Sequence, residues 1–348
     1  LERRSIAMKM IKTIEAVGHV LCHDITRIIK DVTKDIAFKK GHIIREEDVP
    51  ILLSLGKDNI YIWEKSEDML HENEAADILF NICKGKNISG SDVREGKVDL
   101  IADVDGLLRV DVDRLNMVNS LGEMMIATRH NNFSVKKGDK LAGTRIIPLI
   151  IEKEKMDEAI KIGRNEPLLN IIKFKRKKVG IVTTGNEVHY GRIKDSFGPV
   201  IIEKLSEYDV EILGQEIVND DLRNIGKAIN KFIEKGADII VCTGGMSVDP
   251  DDLTPSAIKN TGAEIISYGA PVLPGAMFLL SYYKDTIPIV GLPGCVMYSK
   301  RTIFDLVLPR IMADIKLSSK DLALMGHGGL CLSCDICTYP NCGFGKGM

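Results

Sequence analysis

The chain has 348 residues, 45% of them hydrophobic and 28% charged, with a formal net charge of −2. That balance excludes a disordered polyelectrolyte and leaves no basic field for a nucleic-acid backbone, and 5% aromatic residues are too few for a base-stacking surface. No stretch reaches the roughly 20 apolar residues of a membrane-spanning helix, so neither nucleic acid nor a membrane is expected as a partner, and a cytoplasmic location is expected.

A chain of this length exceeds one ordinary hydrophobic core. The sequence divides into an N-terminal α+β segment at 1–70, a middle domain and linker at 71–177, an α/β domain at 178–315 and a cysteine-rich tail at 316–348. Leu1-Glu2-Arg3-Arg4 is charged and has no apolar stretch behind it, which speaks against secretion; Met8 or Met10 is an alternative start. In chain order, Ile51 to Gly56 reads as a short helix closed by glycine, and Ile60 to Trp63 as a strand. Glu74 to Cys83 has helical spacing, Leu107 to Val112 alternates like a strand, and Val112 to Ala127 reads as a helix. Lys136-Lys137-Gly138-Asp139 is a turn before the apolar run Ile146 to Ile151, and the basic run Lys173 to Lys178 reads as a solvated linker.

From Lys178 the rhythm changes. Strands at 179–183, 210–218, 238–242 and 287–290 alternate with helices at 200–208, 222–235 and 303–312. The helix at 222–235 places Ile225, Ile229, Phe232 and Ile233 on one face. This alternation predicts a doubly wound, mostly parallel sheet covered on both faces.

In such a sheet, ligands bind beyond the carboxyl ends of the strands. Three strands end in glycine-containing loops: Thr183-Thr184-Gly185-Asn186-Glu187, Thr243-Gly244-Gly245-Met246-Ser247 and Gly291-Leu292-Pro293-Gly294-Cys295. Glycine lets a ligand approach main-chain N–H groups, and these, with threonine and serine hydroxyls, suit a phosphate. The second loop continues into Val248-Asp249-Pro250-Asp251-Asp252-Leu253-Thr254-Pro255. Asp251 and Asp252 either bind Mg²⁺ beside an anionic ligand or cap the helix that follows. Cys295 reads as a small loop residue, and Lys300 and Arg301 as solvated surface.

At these residues a family resemblance emerges. Thr184-Gly185-Asn186-Glu187, Thr243 through Asp252 and Gly291-Leu292-Pro293-Gly294 resemble the molybdopterin-binding domain of the molybdenum-cofactor biosynthesis family, over about 178–315. Val20-Leu21-Cys22-His23-Asp24 and Phe38-Lys39-Lys40-Gly41-His42 more loosely resemble the leading segments of the molybdopterin molybdenumtransferase branch. The resemblance implies that Thr183, Thr184, Gly185, Asn186, Thr243, Gly244, Gly245, Ser247, Gly291, Pro293 and Gly294 hold molybdopterin or its adenylylated form. It implies that Glu187, Asp251 and Asp252 bind Mg²⁺, with Glu187 and Asp252 acting in the insertion of molybdate, and that the protein is a homodimer; a molybdoenzyme client is a further expected partner, above all for a carrier that delivers the cofactor with the tail as docking module. A non-catalytic carrier of the pterin phosphate is the alternative. The sequence departs from the family pattern at Asn186, usually an aspartate, at Asp249, usually a glycine, at Ala276, where a lysine is expected, and at Cys295-Val296, where asparagine-proline is expected. The methionine-aspartate-glycine-tyrosine segment is not evident; Val104-Asp105-Gly106-Leu107 is a poor substitute.

The tail carries Cys331, Cys334, Cys337 and Cys342, spaced x₂, x₂ and x₄. Four thiols so close together suit a soft metal centre, either an Fe–S cluster or Zn²⁺, with His327 as a substitute ligand for zinc. Cys22, Cys83, Cys242 and Cys295 are scattered, as buried small hydrophobes are.

Overall fold

A computed structural model describes residues 8–29, 33–63, 68–247 and 249–347. The charged start at Leu1–Arg4 and Val248 of the second loop lie outside the described residues. The chain forms two compact units and passes between them more than once: 1–101, 111–129 and 140–169 make the first, and 102–110, 130–139 and 170–348 the second.

In the first unit, strands Met8–Lys12 and Asn59–Trp63 pair antiparallel, as do Ile25–Ile29 and Thr33–Phe38. Leu21, Ile25, Phe38, Ile44, Leu52 and Ile60 close a small core around the helix Asp48–Ser54. That helix starts three residues before the expected Ile51, because Pro50 sits in its first turn, where a missing N–H costs nothing. Helix Glu72–Cys83 opens with a capping box: the His71 ring accepts from the Asn73 N–H, and the Glu74 carboxylate accepts from the His71 N–H. A four-stranded sheet, ordered Ile88–Gly90, Lys97–Ala102, Lys140–Ile146, Met124–Thr128, with its last three strands antiparallel, completes the unit with helices Val112–Ser120 and Lys153–Gly163. The single helix expected over Val112 to Ala127 is therefore wrong in its second half. Gly122 and Glu123 take left-handed backbone angles, which ends the helix and turns the chain into the strand at Met124. The apolar run Ile146 to Ile151 is likewise split between the end of one strand and the short strand Ile150–Glu152.

In the second unit a six-stranded sheet carries the candidate site. Its strands are β1 (Lys177–Thr184), β2 (Val210–Val218), β3 (Ile239–Thr243), β4 (Glu264–Tyr268), β5 (Leu279–Tyr283) and β6 (Ile287–Leu292). The order is β2-β1-β3-β6-β5-β4, with β2, β1, β3 and β6 parallel and β5 and β4 added antiparallel at one edge. Helices α1 (Phe197–Leu205), α2 (Leu222–Glu234), α3 (Thr254–Asn260), α4 (Ile303–Met312) and α5 (Ser319–Leu324) accompany it.

Alternation along the central strands explains the two layers. Val179 and Ile181 of β1, with Ile239 and Val241 of β3, face Ile201, Leu205, Ile303 and Val307 of α1 and α4. Val182, Ile240 and Cys242 point the other way, onto Ile225, Ile229 and Phe232 of α2 and Ile258 of α3. The basic run at 173–178 is largely exposed, as expected, and several of its side chains are paired. Lys173 ends a strand at Leu169–Lys173, Lys177 begins β1, and Lys175 and Lys177 both pair with Asp314 while Arg176 faces Asp209 and Glu211. Among the described residues no helix is long and apolar enough to cross a membrane.

Candidate functional site

The register of the parallel strands brings their carboxyl ends into line. Thr184 of β1 lies opposite Val218 of β2, Thr183 opposite Thr243 of β3, and Thr243 opposite Leu292 of β6. The loops that follow therefore leave the sheet side by side, and two glycines let them touch. A Cβ on Gly244 would stand 2.1 Å from the Thr184 carbonyl oxygen, and the residue has φ +84°, so the second loop lies against the first only because this position has no side chain. A Cβ on Gly291 would meet the Met246 methyl at 2.5 Å, which seats the second loop on the end of β6.

Beneath this contact lies a brace of buried hydroxyls. Gln215 Nε2 donates to Thr183 Oγ1 at 2.8 Å, and Thr243 Oγ1 donates to the same oxygen at 3.2 Å. Thr184 and Thr254 share a hydroxyl–hydroxyl bond of 3.2 Å, while Thr254 also donates to the Gly244 carbonyl at 2.9 Å. Thr183, Thr184 and Thr243 are buried, so their hydroxyls hold the loops in place from behind.

The outer face carries other groups. Glu187, Ser247, Asp251 and Gly294 are exposed, and Asn186, Asp252 and Pro293 half-buried. Gly185 is buried, with φ +144°, and starts the short helix Asn186–His189. Asp252 Oδ2 accepts from the Ser247 N–H at 2.9 Å and so shapes the second loop directly. The first loop is tied to the end of β2: Asn186 N–H donates to Asp220 Oδ2 at 2.9 Å, and Asp220 N–H approaches Asn186 Oδ1 at 3.4 Å.

Asp220 is the acid that sequence reasoning missed. Its signal was the Asn219-Asp220-Asp221 run directly after a strand, the same strand-end position as the three loops. Tyr268, at the end of β4, was also missed because the antiparallel edge strands had no clear pattern. Its hydroxyl lies 2.9 Å from the Met246 carbonyl and 3.1 Å from that of Ser247, and burial, then the nearby Asp252 carboxylate, push its phenol above the ordinary range. Gln215, which also donates to Asp195 Oδ2 at 2.7 Å, completes the missed set.

Beyond the third loop, Arg301 is not solvated surface. It pairs with Glu207 at 2.8 Å and with Asp305 at 2.9 Å, and Asp305 also takes the Lys204 ammonium at 2.9 Å in a largely buried pair. All eight cysteines are free thiols. Burial pushes Cys22 up to about 11 and Cys83 and Cys242 up to about 12, and raises Cys295, so these four are poor nucleophiles, in keeping with small packing residues. Cys331, Cys334, Cys337 and Cys342 line one cavity next to Lys300 and Arg301. Among the described residues no three His, Cys, Asp or Glu side chains are gathered closely enough to hold a metal ion.

Residues 180–313 match the family described as a probable molybdopterin binding domain, and residues 10–64 match a domain of unknown function, DUF8806. The CinA-like protein of Mycobacterium tuberculosis (strain ATCC 25177 / H37Ra) is 36% identical over 90 residues, 26% of this chain and 21% of that protein. The chain thus spans about a fifth of the length of the curated relatives it matches. Among solved structures, the molybdopterin biosynthesis enzyme MoaB from Thermus thermophilus is 21% identical, covering 41% of this chain and 98% of that one with a TM-score of 0.33. The tungsten cofactor synthesizing protein MoaB from Pyrococcus furiosus is 24% identical, covering 40% and 90% with a TM-score of 0.31. The match at 180–313 to the probable molybdopterin binding domain family thus spans nearly all of the parallel sheet and all three of its strand-end loops.

Proposed function

We propose that the three loops bind molybdopterin or its adenylylated form, and that the protein acts in molybdenum-cofactor assembly by inserting molybdate with the help of Mg²⁺. The observation that supports this best is the contact of Gly244 with the Thr184 carbonyl, which joins two phosphate-type loops into one surface in a domain of this family. Main-chain N–H groups of the glycine loops and the Ser247 hydroxyl supply donors for phosphate oxygens. Glu187, Asp251 and Asp252 supply oxygen acceptors beside them. Mg²⁺ is held through one or two carboxylates while keeping waters and substrate phosphates, so these acids fit it without three ligands gathered in advance. When bound, the ion would offset negative charge on the phosphate released as molybdate is inserted. Asp252 has a further task, fixing the Ser247 N–H. The reading extends to a cytoplasmic homodimer that passes its product to a molybdoenzyme client.

A second reading, a non-catalytic carrier of the same pterin, is favoured by the first loop. Asn186 stands where an acid is usual and is engaged with Asp220 through its main chain. Both readings are tested by titrating the full chain with molybdopterin and with adenylylated molybdopterin, with and without Mg²⁺. Magnesium-sensitive binding that weakens about tenfold, or ~1.4 kcal/mol, in Glu187→Gln and Asp252→Asn is the expected result. Loss of adenylylated pterin in step with molybdate use selects the insertase, and binding without turnover selects the carrier. No binding by the folded protein overturns both.

A further inference from the structure

The four tail cysteines take no part in the pterin reading, yet the fold gathers them. Cys331, Cys334, Cys337 and Cys342 line a single open cavity of about 360 Å³. The segment that carries them is built onto the second unit at several points. Cys331 N–H donates to the Leu273 carbonyl at 2.8 Å, and Gly345 N–H to that of Gly328 at 2.9 Å, so the loop is tied at both ends. Phe344 is buried in the core that contains Phe304 and Leu306. Within the loop, the Tyr339 hydroxyl donates to the Asp305 carbonyl at 3.3 Å, and the Arg301 guanidinium lies 4.8 Å from the Tyr339 ring centre. Lys300 Nζ donates to the Asp335 carbonyl at 2.9 Å, between the second and third thiols.

We propose that these four thiolates hold one iron–sulfur cluster in this cavity. All four thiols line one cavity of about 360 Å³, and a cluster offers each thiolate an iron of its own. The two x₂ intervals match the cluster-binding run, and the longer x₄ interval brings the fourth cysteine back to the same cavity. The wall contains the buried Phe344, and Lys300 places a cation beside a group that would carry net negative charge. The cavity is also lined by Tyr298 to Arg301, which follow directly on the third strand-end loop, so the cluster would sit on the chain segment leaving that loop.

The test is independent of pterin binding. The full chain, purified without oxygen and supplied with ferrous iron and sulfide, is assayed for iron, acid-labile sulfide, zinc and visible charge-transfer absorbance. Equal iron and sulfide are expected, falling at least about tenfold in Cys334→Ser and Cys337→Ser and persisting in Cys295→Ser. Cys334 and Cys337 are exposed, so their variants should keep the wild-type circular dichroism. Zinc without sulfide, a folded protein that retains no iron, or a cluster that survives both variants would each overturn the proposal.

Discussion

Gly244→Ala tests the junction on which the candidate site depends. The new Cβ would stand 2.1 Å from the Thr184 carbonyl oxygen and 2.8 Å from its Oγ1, and the residue has φ +84°. The carbonyl is main chain inside β1, so it cannot turn aside as a side-chain tip would. Two costs combine: roughly 1–2 kcal/mol for an L-residue in the left-handed region, and roughly 1–3 kcal/mol for forcing packed groups apart. Gly262→Ala is the matched control, with φ +89° and nothing within 4 Å, so it bears the first cost alone. Urea unfolding of both variants should show Gly244→Ala the less stable by about 1–3 kcal/mol. Pterin titration should show weaker binding in Gly244→Ala and wild-type binding in Gly262→Ala. Equal stability and equal affinity in the two variants would refute the claim that loop contact builds the site.

Three further outcomes are expected. Asp305→Ala should destabilise the second unit by about 3–5 kcal/mol, because it strands the buried Lys204 ammonium; the double variant Lys204→Met/Asp305→Leu should recover part of this in the same urea assay. Phe232→Ala, at a fully buried side chain of α2, should cost about 3–5 kcal/mol through the cavity it leaves. In the first unit, burial and then the Lys57 charge lower the pKa of His23, whose Nδ1 is buried without a partner. The folded state then resists a proton that the unfolded chain accepts, so the contribution of His23 is full above its unfolded pKa and is lost as pH falls through the folded value. The urea midpoint of that unit should drop between neutral pH and about pH 5, and His23→Gln should flatten the drop; an unchanged slope in the variant would count against the account.

The sequence alone determined the layered core of the second unit, because alternation on strands and 3.6-residue spacing on helices are local patterns. Val179, Ile181, Val182 and the apolar face of α2 needed nothing distant to be assigned their sides. The three glycine loops and the four clustered thiols were legible for the same reason: each is a short run whose residue types are informative by themselves. Tertiary structure decided what those runs do to one another. Thr183, Thr184 and Thr243 read as loop residues facing a ligand, while the fold buries all three side chains and brings the long-range partner Gln215 to Thr183. The second half of the helix expected at 112–127 gave way to a strand, where the pairing of Met124–Thr128 with Lys140–Ile146 outweighs local helical preference. Asp220, Tyr268 and the Lys204–Asp305 and Arg301–Glu207 pairs entered through contacts between residues tens of positions apart, which no single-sequence period encodes. The tail is the plainest case: the spacing of its cysteines announced a shared role, and only its packing against residues 273, 305 and 328 formed the cavity they line together.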